Sequence, residues 1–409
     1  MRGTQTLAKS LATIAALSAF SMAHSLFISG FEGLTASAAG TPLSGQEGWY
    51  VPAVAGTIDL NAWTYAGNAL TLPAHPQGST KFIGNISQGG TALARGQRAT
   101  TFSSGPNYFQ YDFCARYNGT LPATDNVASF SHQPSTTVRG LIALVTWSDI
   151  TTAVAVDQDF NVYDSAGVAL LNQNAGPAWT ALPVNNWYRN EIWYDFTTNA
   201  VTQIAITDLQ TGIRTVANPT GWFLQGGSTG GTFTIPTDVR FFVGGATAGN
   251  AAGFDNFIVG TPPLAPSTAT IVSGSPFGGD INSLAAGDED KFYIINDESM
   301  PNSGVVCSGG GAAVNPAAVG FAAELSASRS DLQFFIKAKD MNTNTFVTLS
   351  VTQSTLADSY VGVFVNTNAA RFVGVGGTWE MRLDGIPAED LIAEDGWSTV
   401  IDRINFFAE

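Results

Sequence analysis

A chain of 409 residues that holds three histidines has few ways to move a proton near neutral pH. His24 belongs to the N-terminal leader described below, which leaves His75 and His132. His75 stands in Leu72-Pro73-Ala74-His75-Pro76, a turn, and His132 in Phe130-Ser131-His132-Gln133-Pro134, a loop entry. A Ser-His-Asp triad would have to use one of them, yet neither lies near a nucleophile elbow. Neither is followed by a glutamate at zincin spacing. Both read as exposed loop histidines. Cys114 and Cys307 are the only cysteines, too far apart in sequence to suggest a metal site. A bridge between them would need an oxidising compartment and close Cα approach across the two halves. Two buried free thiols are the expectation.

Carbohydrate recognition needs less machinery than catalysis. Sugar rings stack on aromatic faces while amides and carboxylates bond the hydroxyls. Trp49, Tyr50, Trp63 and Tyr65 lie in a loop-rich stretch, and Trp179, Trp187 and Trp222 stand beside turns. Trp63 and Trp179 have the most polar, turn-like flanks and are the candidate ligand-binding residues.

These residues must be positioned by strands. Forty-four glycines, abundant Thr, Ser and Asn, and only 12% charged residues are the composition of many short strands joined by turns. Alternation in Phe109-Gln110-Tyr111-Asp112-Phe113 puts Phe109, Tyr111 and Phe113 on one face. Further strands are expected at Leu141–Trp147, Thr152–Val156, Ile204–Ile206, Arg240–Val243, Gly253–Val259, Phe346–Val351 and Tyr360–Val365. The best helical candidate, Ala388–Ala393, is one or two turns at most. The expected fold class is all-β.

Three prolines in Thr261-Pro262-Pro263-Leu264-Ala265-Pro266-Ser267 read as a stiff linker. It divides a first domain, 26–260, from a second, 268–409, each expected to fold separately. Of the formal charge of −15, the part before Ser267 carries 14 acids against 10 bases and the remainder 18 against 7, so about −11 falls in the second part. That balance argues against nucleic acid, whose phosphates need clustered Lys and Arg. Residues 1–25 read as a secretory signal. Arg2 and Lys9 precede the apolar run Leu11–Phe20, and small residues at Ser21, Ala23 and Ser25 offer cleavage after Ala23 or Ser25. That run is shorter than the roughly 20 residues that span a bilayer, and no later segment is apolar enough to do so.

Motifs at both ends of the first domain carry a resemblance. They are Gly30-Phe31-Glu32-Gly33, Gly45-Gln46-Glu47-Gly48-Trp49, the central Asn186-Trp187-Tyr188-Arg189-Asn190-Glu191-Ile192-Trp193-Tyr194-Asp195-Phe196, and the closing Gly253-Phe254-Asp255-Asn256-Phe257-Ile258-Val259. Their order resembles the concanavalin A-like lectin/glucanase jelly rolls, including laminin-G-like modules of secreted bacterial proteins. The resemblance implies two packed antiparallel sheets with the opening strand beside the closing one. It also implies a structural calcium, with Glu32 and Asp255 as carboxylate ligands, a chemistry that suits a hard cation taking many oxygens.

Enzymes of this superfamily fit less well. Retaining glucanases need two carboxylates facing one groove, about 5–5.5 Å apart, and no Glu-x-Asp-x-Glu pattern occurs here. Arg189-Asn190-Glu191-Ile192 looks like the Arg-x-Glu motif of jelly-roll alginate lyases, but Gln203-Ile204-Ala205 has alanine where those enzymes carry histidine. Arg189 and Glu191 therefore read as surface residues. In the second domain, Gly278–Leu284 and Gly287–Phe292 resemble the start of a C-terminal β module of secreted bacterial proteins, and Asp288, Glu289 and Asp290 read as a solvated acidic turn. The sequence thus points to a secreted, non-catalytic protein that binds a polysaccharide or cell-surface component. A structural or adhesive envelope protein is the alternative, and a polysaccharide-cleaving enzyme the third.

Overall fold

The computed structural model describes residues 26–124, 126–132, 140–230, 235–244, 247–284, 291–296, 302–356, 359–387 and 397–409. The leader, the Ala388–Ala393 segment and the Asp288–Asp290 turn lie outside the described residues.

Alternation sets the architecture. In strand Pro106–Arg116 the side chains of Phe109, Tyr111 and Phe113 enter one core while Tyr108, Gln110 and Asp112 take the opposite face. This strand is central in sheet I. Edge to edge, sheet I runs Arg214–Ala217, Ala200–Asp208, Tyr188–Asp195, Pro106–Arg116, Ala251–Gly260, Lys81–Ile86, Asn61–Thr64 and Thr41–Pro42. Phe27–Ser29 pairs antiparallel with the closing strand, Phe27 opposite Val259 and Ser29 opposite Phe257, so the first and last strands lie side by side. A bulge between Asp255 and Ile258 makes room for this pairing. Sheet II runs Ala169–Gln173, Ala155–Tyr163, Ile142–Trp147, Asn126–His132, Asp238–Val243, Leu93–Ala99 and Trp49–Tyr50. Phe160, Phe241 and Trp49 of sheet II meet Phe109, Tyr111 and Phe254 of sheet I in one buried core. The strand expected at Thr152–Val156 begins only at Ala155, because a turn carrying Ala153 at φ 53° precedes it.

The second part forms a smaller sandwich. Sheet III runs Thr268–Ser273, Ser303–Gly309, Trp379–Pro387, Leu332–Asp340 and Thr345–Gln353; sheet IV runs Ser275–Gly278, Phe292–Asn296, Trp397–Ala408, Val319–Ala327 and Ser359–Val365. Trp379, Phe321, Phe334 and Phe406 fill its core. The fold is all-β; its helical segments among the described residues are short 3-10 turns.

Sheets I and IV lie face to face, so four layers stack in the order II, I, IV, III. Leu26, Tyr108 and Ile258 pack against Ala322 and Phe407 across this contact. Gly320 permits the approach, since a Cβ there would stand 2.7 Å from Ile28 Cδ1. The proline-rich segment is pinned rather than a free spacer. Leu264 exchanges backbone hydrogen bonds with Phe406, Ser267 N donates to Ser308 O, and Thr261 N donates to the Glu409 carboxylate at 2.7 Å. The same carboxylate accepts from Leu26 N at 2.6 Å. One side chain thus ties the opening strand, the linker and the final strand together.

Candidate functional site

The polar face of sheet I is built by strand register. Arg189 lies opposite Asp112 and Glu191 opposite Gln110, all on the side away from the core. On an isolated sandwich this face would meet water. Here sheet IV covers it and supplies Glu324 and Arg403, cross-strand neighbours of each other. Arg189 grips Asp112 through Nε at 2.7 Å and Nη2 at 3.0 Å, bonds Gln77 Oε1 at 2.6 Å, and pairs through Nη1 with Glu324. Arg403 bonds Glu191 Oε1 at 2.8 Å, and Arg214 bonds its other oxygen at 2.9 Å. The Tyr108 hydroxyl donates to Glu191 at 2.7 Å.

His75 belongs to this cluster, which corrects its expected place in an exposed loop: it is 3% exposed. Its Nδ1 accepts from Gln77 N at 3.2 Å, so Nε2 carries the proton and donates to Asp112 Oδ2 at 3.1 Å. Burial lowers its pKa and outweighs the opposing pull of Asp112. Arg189 and Glu191 are likewise interior, at 2% and 0% exposure, not surface residues. Burial alone would raise the Glu191 pKa, but the Arg403 and Arg214 guanidiniums hold it well below the usual carboxylate range. Asp112 is held down in the same way by Arg189. These groups could do acid–base chemistry, yet all but Arg214, whose side chain is 16% exposed, are buried. For His132 the structure gives a backbone place, opposite Val239 in strand Asn126–His132.

Trp63 and Trp179, expected to stack on ligand, are both buried, at 4% and 2% exposure. Trp63 donates Nε1 to Gly84 O at 3.0 Å and packs beneath Gly40, whose φ of +83° brings the backbone over the ring. Trp179 sits in the 3-10 turn Pro177–Trp179 with its ring in the main core. Neither has a free face for a sugar. Cys114 and Cys307 are free and buried, as expected. Burial pushes the Cys307 thiol up to about 12 and the Cys114 thiol higher still.

Glu32 and Asp255 do not share one set of partners. Asp255 is fully buried; its oxygens accept from the Tyr65 hydroxyl at 2.8 Å and from Asn256 N at 2.7 Å. In the adjoining cluster the carboxylates of Asp112, Glu191 and Glu324 are matched by the guanidiniums of Arg189, Arg214 and Arg403. Asp255 is the acid left over, and burial followed by the nearby Asp112 charge raises its pKa well above the usual range. A cation beside it would fit on charge. Glu32 is exposed and accepts from Thr80 N at 2.7 Å, Lys81 N at 3.2 Å and the Thr80 hydroxyl. Among the described residues no three His, Cys, Asp or Glu side chains gather as a ready metal cage.

An open cleft of about 510 Å³ lies beside the sheet I–sheet IV contact. One wall carries Glu32, Glu47 and Asn256, and the other Thr352, Gln353 and Tyr360. Glu47 Oε2 accepts from the Ser29 hydroxyl at 2.8 Å. Asn256 is 1% exposed and donates Nδ2 to Asp112 at 2.8 Å, while its Oδ1 has no partner among the described residues. The sequence motifs contain Glu32, Glu47 and Asn256, of which only Glu32 was a candidate ligand, and none of them reaches the second wall. Gln353 and Tyr360 become neighbours of the first domain only through the stacking of the two sandwiches.

No family model matches the chain, and no curated protein matches it. Several solved structures are similar. A carbohydrate esterase of the Shiga toxin-encoding bacteriophage phi24B is 16% identical, over 56% of this chain and 98% of that one, with a TM-score of 0.32. Basic winged bean lectin, solved with Tn-antigen, is 10% identical over 53% and 92%, with a TM-score of 0.30. An alginate lyase of Pseudomonas aeruginosa is 8% identical over 44% and 83%, with a TM-score of 0.28.

Proposed function

We propose that this protein is an exported, non-catalytic carbohydrate-binding protein whose first sandwich is a concanavalin A-like jelly roll and whose ligand site is the cleft between the two sandwiches. The cleft carries this reading. Its walls offer carboxylate, amide and hydroxyl groups, the set that bonds a polyol, in a space large enough for one or two sugar rings. The acid–base groups of the sheet I face are sealed under sheet IV, which favours binding over cleavage. The partner is a polysaccharide or a glycan of a cell surface.

The experiment is calorimetric titration of a glycan panel, with a reducing-end assay alongside, on protein recovered outside the cytoplasm. Its N-terminus, read by mass spectrometry, is expected at or near Leu26. Binding without cleavage, weakened about fivefold or more by Gln353→Ala, is the expected result, since a lost hydrogen bond in a bound complex costs on the order of 1 kcal/mol or more. An intact Met1 in that fraction would remove export from the proposal, glycan cleavage would remove the non-catalytic reading, and a panel without a ligand would remove the binding.

The proposal includes a structural calcium held by Asp255 and Glu32. Such an ion binds only the folded chain, because its ligands come from opposite ends of the first domain. At 100 times its Kd it would add about 2.7 kcal/mol of stability. Thermal unfolding is therefore expected at higher temperature in calcium than in chelator, and Asp255→Ala should lose that difference. Identical wild-type curves in the two buffers would exclude the ion.

A further inference from the structure

On the first-sandwich wall of the cleft the unmet side-chain hydrogen bonding is all acceptor, while across it the buried Tyr360 hydroxyl, able to donate or accept, has no partner among the described residues. Asn256 Oδ1 is an acceptor without a donor, held in place because the amide nitrogen is already committed to Asp112. Glu47 Oε1 has no donor among the described residues, while Oε2 is fixed by Ser29. Neither Lys nor Arg stands among the described lining residues. Three cations lie close by: Arg189, 5.3 Å from the Tyr360 ring, is committed to Asp112 and Glu324, and the other two are turned to backbone carbonyls. Lys81 Nζ donates to Glu32 O at 2.6 Å and Leu34 O at 2.8 Å, and Arg98 Nε donates to Glu47 O at 3.0 Å while its guanidinium lies 3.6 Å over the Phe27 ring. The cleft therefore presents acceptors and negative charge, without a cation of its own to receive an anionic sugar.

We infer that the ligand of this cleft is a glycan bearing free amino groups, with Glu47 reading the ammonium. The inference rests on the binding function proposed above and narrows its ligand class. An ammonium supplies three donors and a positive charge, so it satisfies Glu47 Oε1 and Asn256 Oδ1 better than a hydroxyl or an acetamide does. A uronate places its carboxylate against Glu32 and Glu47, and like charges brought together on binding are rejected.

The test uses three oligosaccharides of equal length: a β-linked glucosamine oligomer with free amines, its fully N-acetylated counterpart and a uronate oligomer. They are titrated into the full chain and into Glu47→Gln at two salt concentrations. The free amine is expected to bind at least tenfold tighter than the acetylated form, to weaken with salt, and to lose this preference in Glu47→Gln. The uronate is expected not to bind. Glu47 is exposed, so the variant should keep its wild-type melting temperature. Equal binding of amine and acetamide, or preference for the uronate, overturns the inference and leaves glycan binding standing. Binding by none of the three, together with an empty wider panel, overturns both.

Discussion

Glu324→Ala is expected to destabilise the whole chain by about 3–5 kcal/mol, the cost of leaving a buried charge without its partner. Glu324 is 1% exposed and contacts Arg189, which is equally buried and already shared with Asp112. Without Glu324, two buried carboxylates face three guanidiniums, of which Arg189 and Arg403 are buried and only Arg214 is partly exposed. The residue belongs to sheet IV, yet the charge it leaves uncompensated belongs to sheet I. Denaturant unfolding should therefore report the loss for both sandwiches in one transition. The control is a double-mutant cycle with Arg189→Ala, in which the two losses should fall short of adding because each single change breaks the same contact. A cost below about 1 kcal/mol for Glu324→Ala, the range of an exposed ion pair, would mean that the two sheets do not hold this layer closed. So would two separate transitions, the outcome that the proline-rich boundary alone leads one to expect.

Alternation made the sheets readable from sequence because a strand that faces one core repeats its apolar residues every second position. Phe109, Tyr111 and Phe113 do so, and the structure puts them together in the core. The same alternation also defines the opposite face. If those three face inward, Tyr108, Gln110 and Asp112 share the other face, and Arg189 and Glu191 share a face on the neighbouring strand. Their burial was illegible because the cover comes from residues 324 and 403, more than 130 positions away in sequence. His75 misled for a related reason. Two prolines and a turn signal describe its backbone correctly, but the ring reaches into the cluster and is held there by Asp112 and Trp187. Polar flanks were an equally poor guide to Trp179, since a short 3-10 turn exposes its neighbours while directing one large ring inward.

Stability is expected to fall as pH rises from about 4.3 to 7, through Glu409. Burial pushes its carboxyl up to about 7, against an ordinary glutamate value near 4.3, and the hydrogen bonds from Thr261 N and Leu26 N offset only part of that. The sign follows from proton counting. Between these two values the folded state holds a proton on Glu409 that the unfolded chain has lost, so unfolding releases protons and higher pH favours it. The full span corresponds to about 3–4 kcal/mol at 1.36 kcal/mol per pH unit, an upper bound for a group with some solvent access. Other buried groups titrate too. Asp255 is raised and adds to the slope, whereas His75 is lowered and opposes it up to its ordinary value near 6.5. Asp112 and Glu191 are depressed, so their contribution is lost only in more acidic solution. The measurement is therefore a difference: urea unfolding at pH 5 and pH 8 for wild type and Glu409→Gln. The variant cannot ionise at this position, and the drop from pH 5 to pH 8 should be smaller in it by about 2–3 kcal/mol. It should also be less stable than wild type at pH 5, because an amide cannot accept from both backbone donors at once. An unchanged pH dependence in Glu409→Gln would mean that this carboxyl titrates normally and that the clasp on Leu26 and Thr261 is open to water.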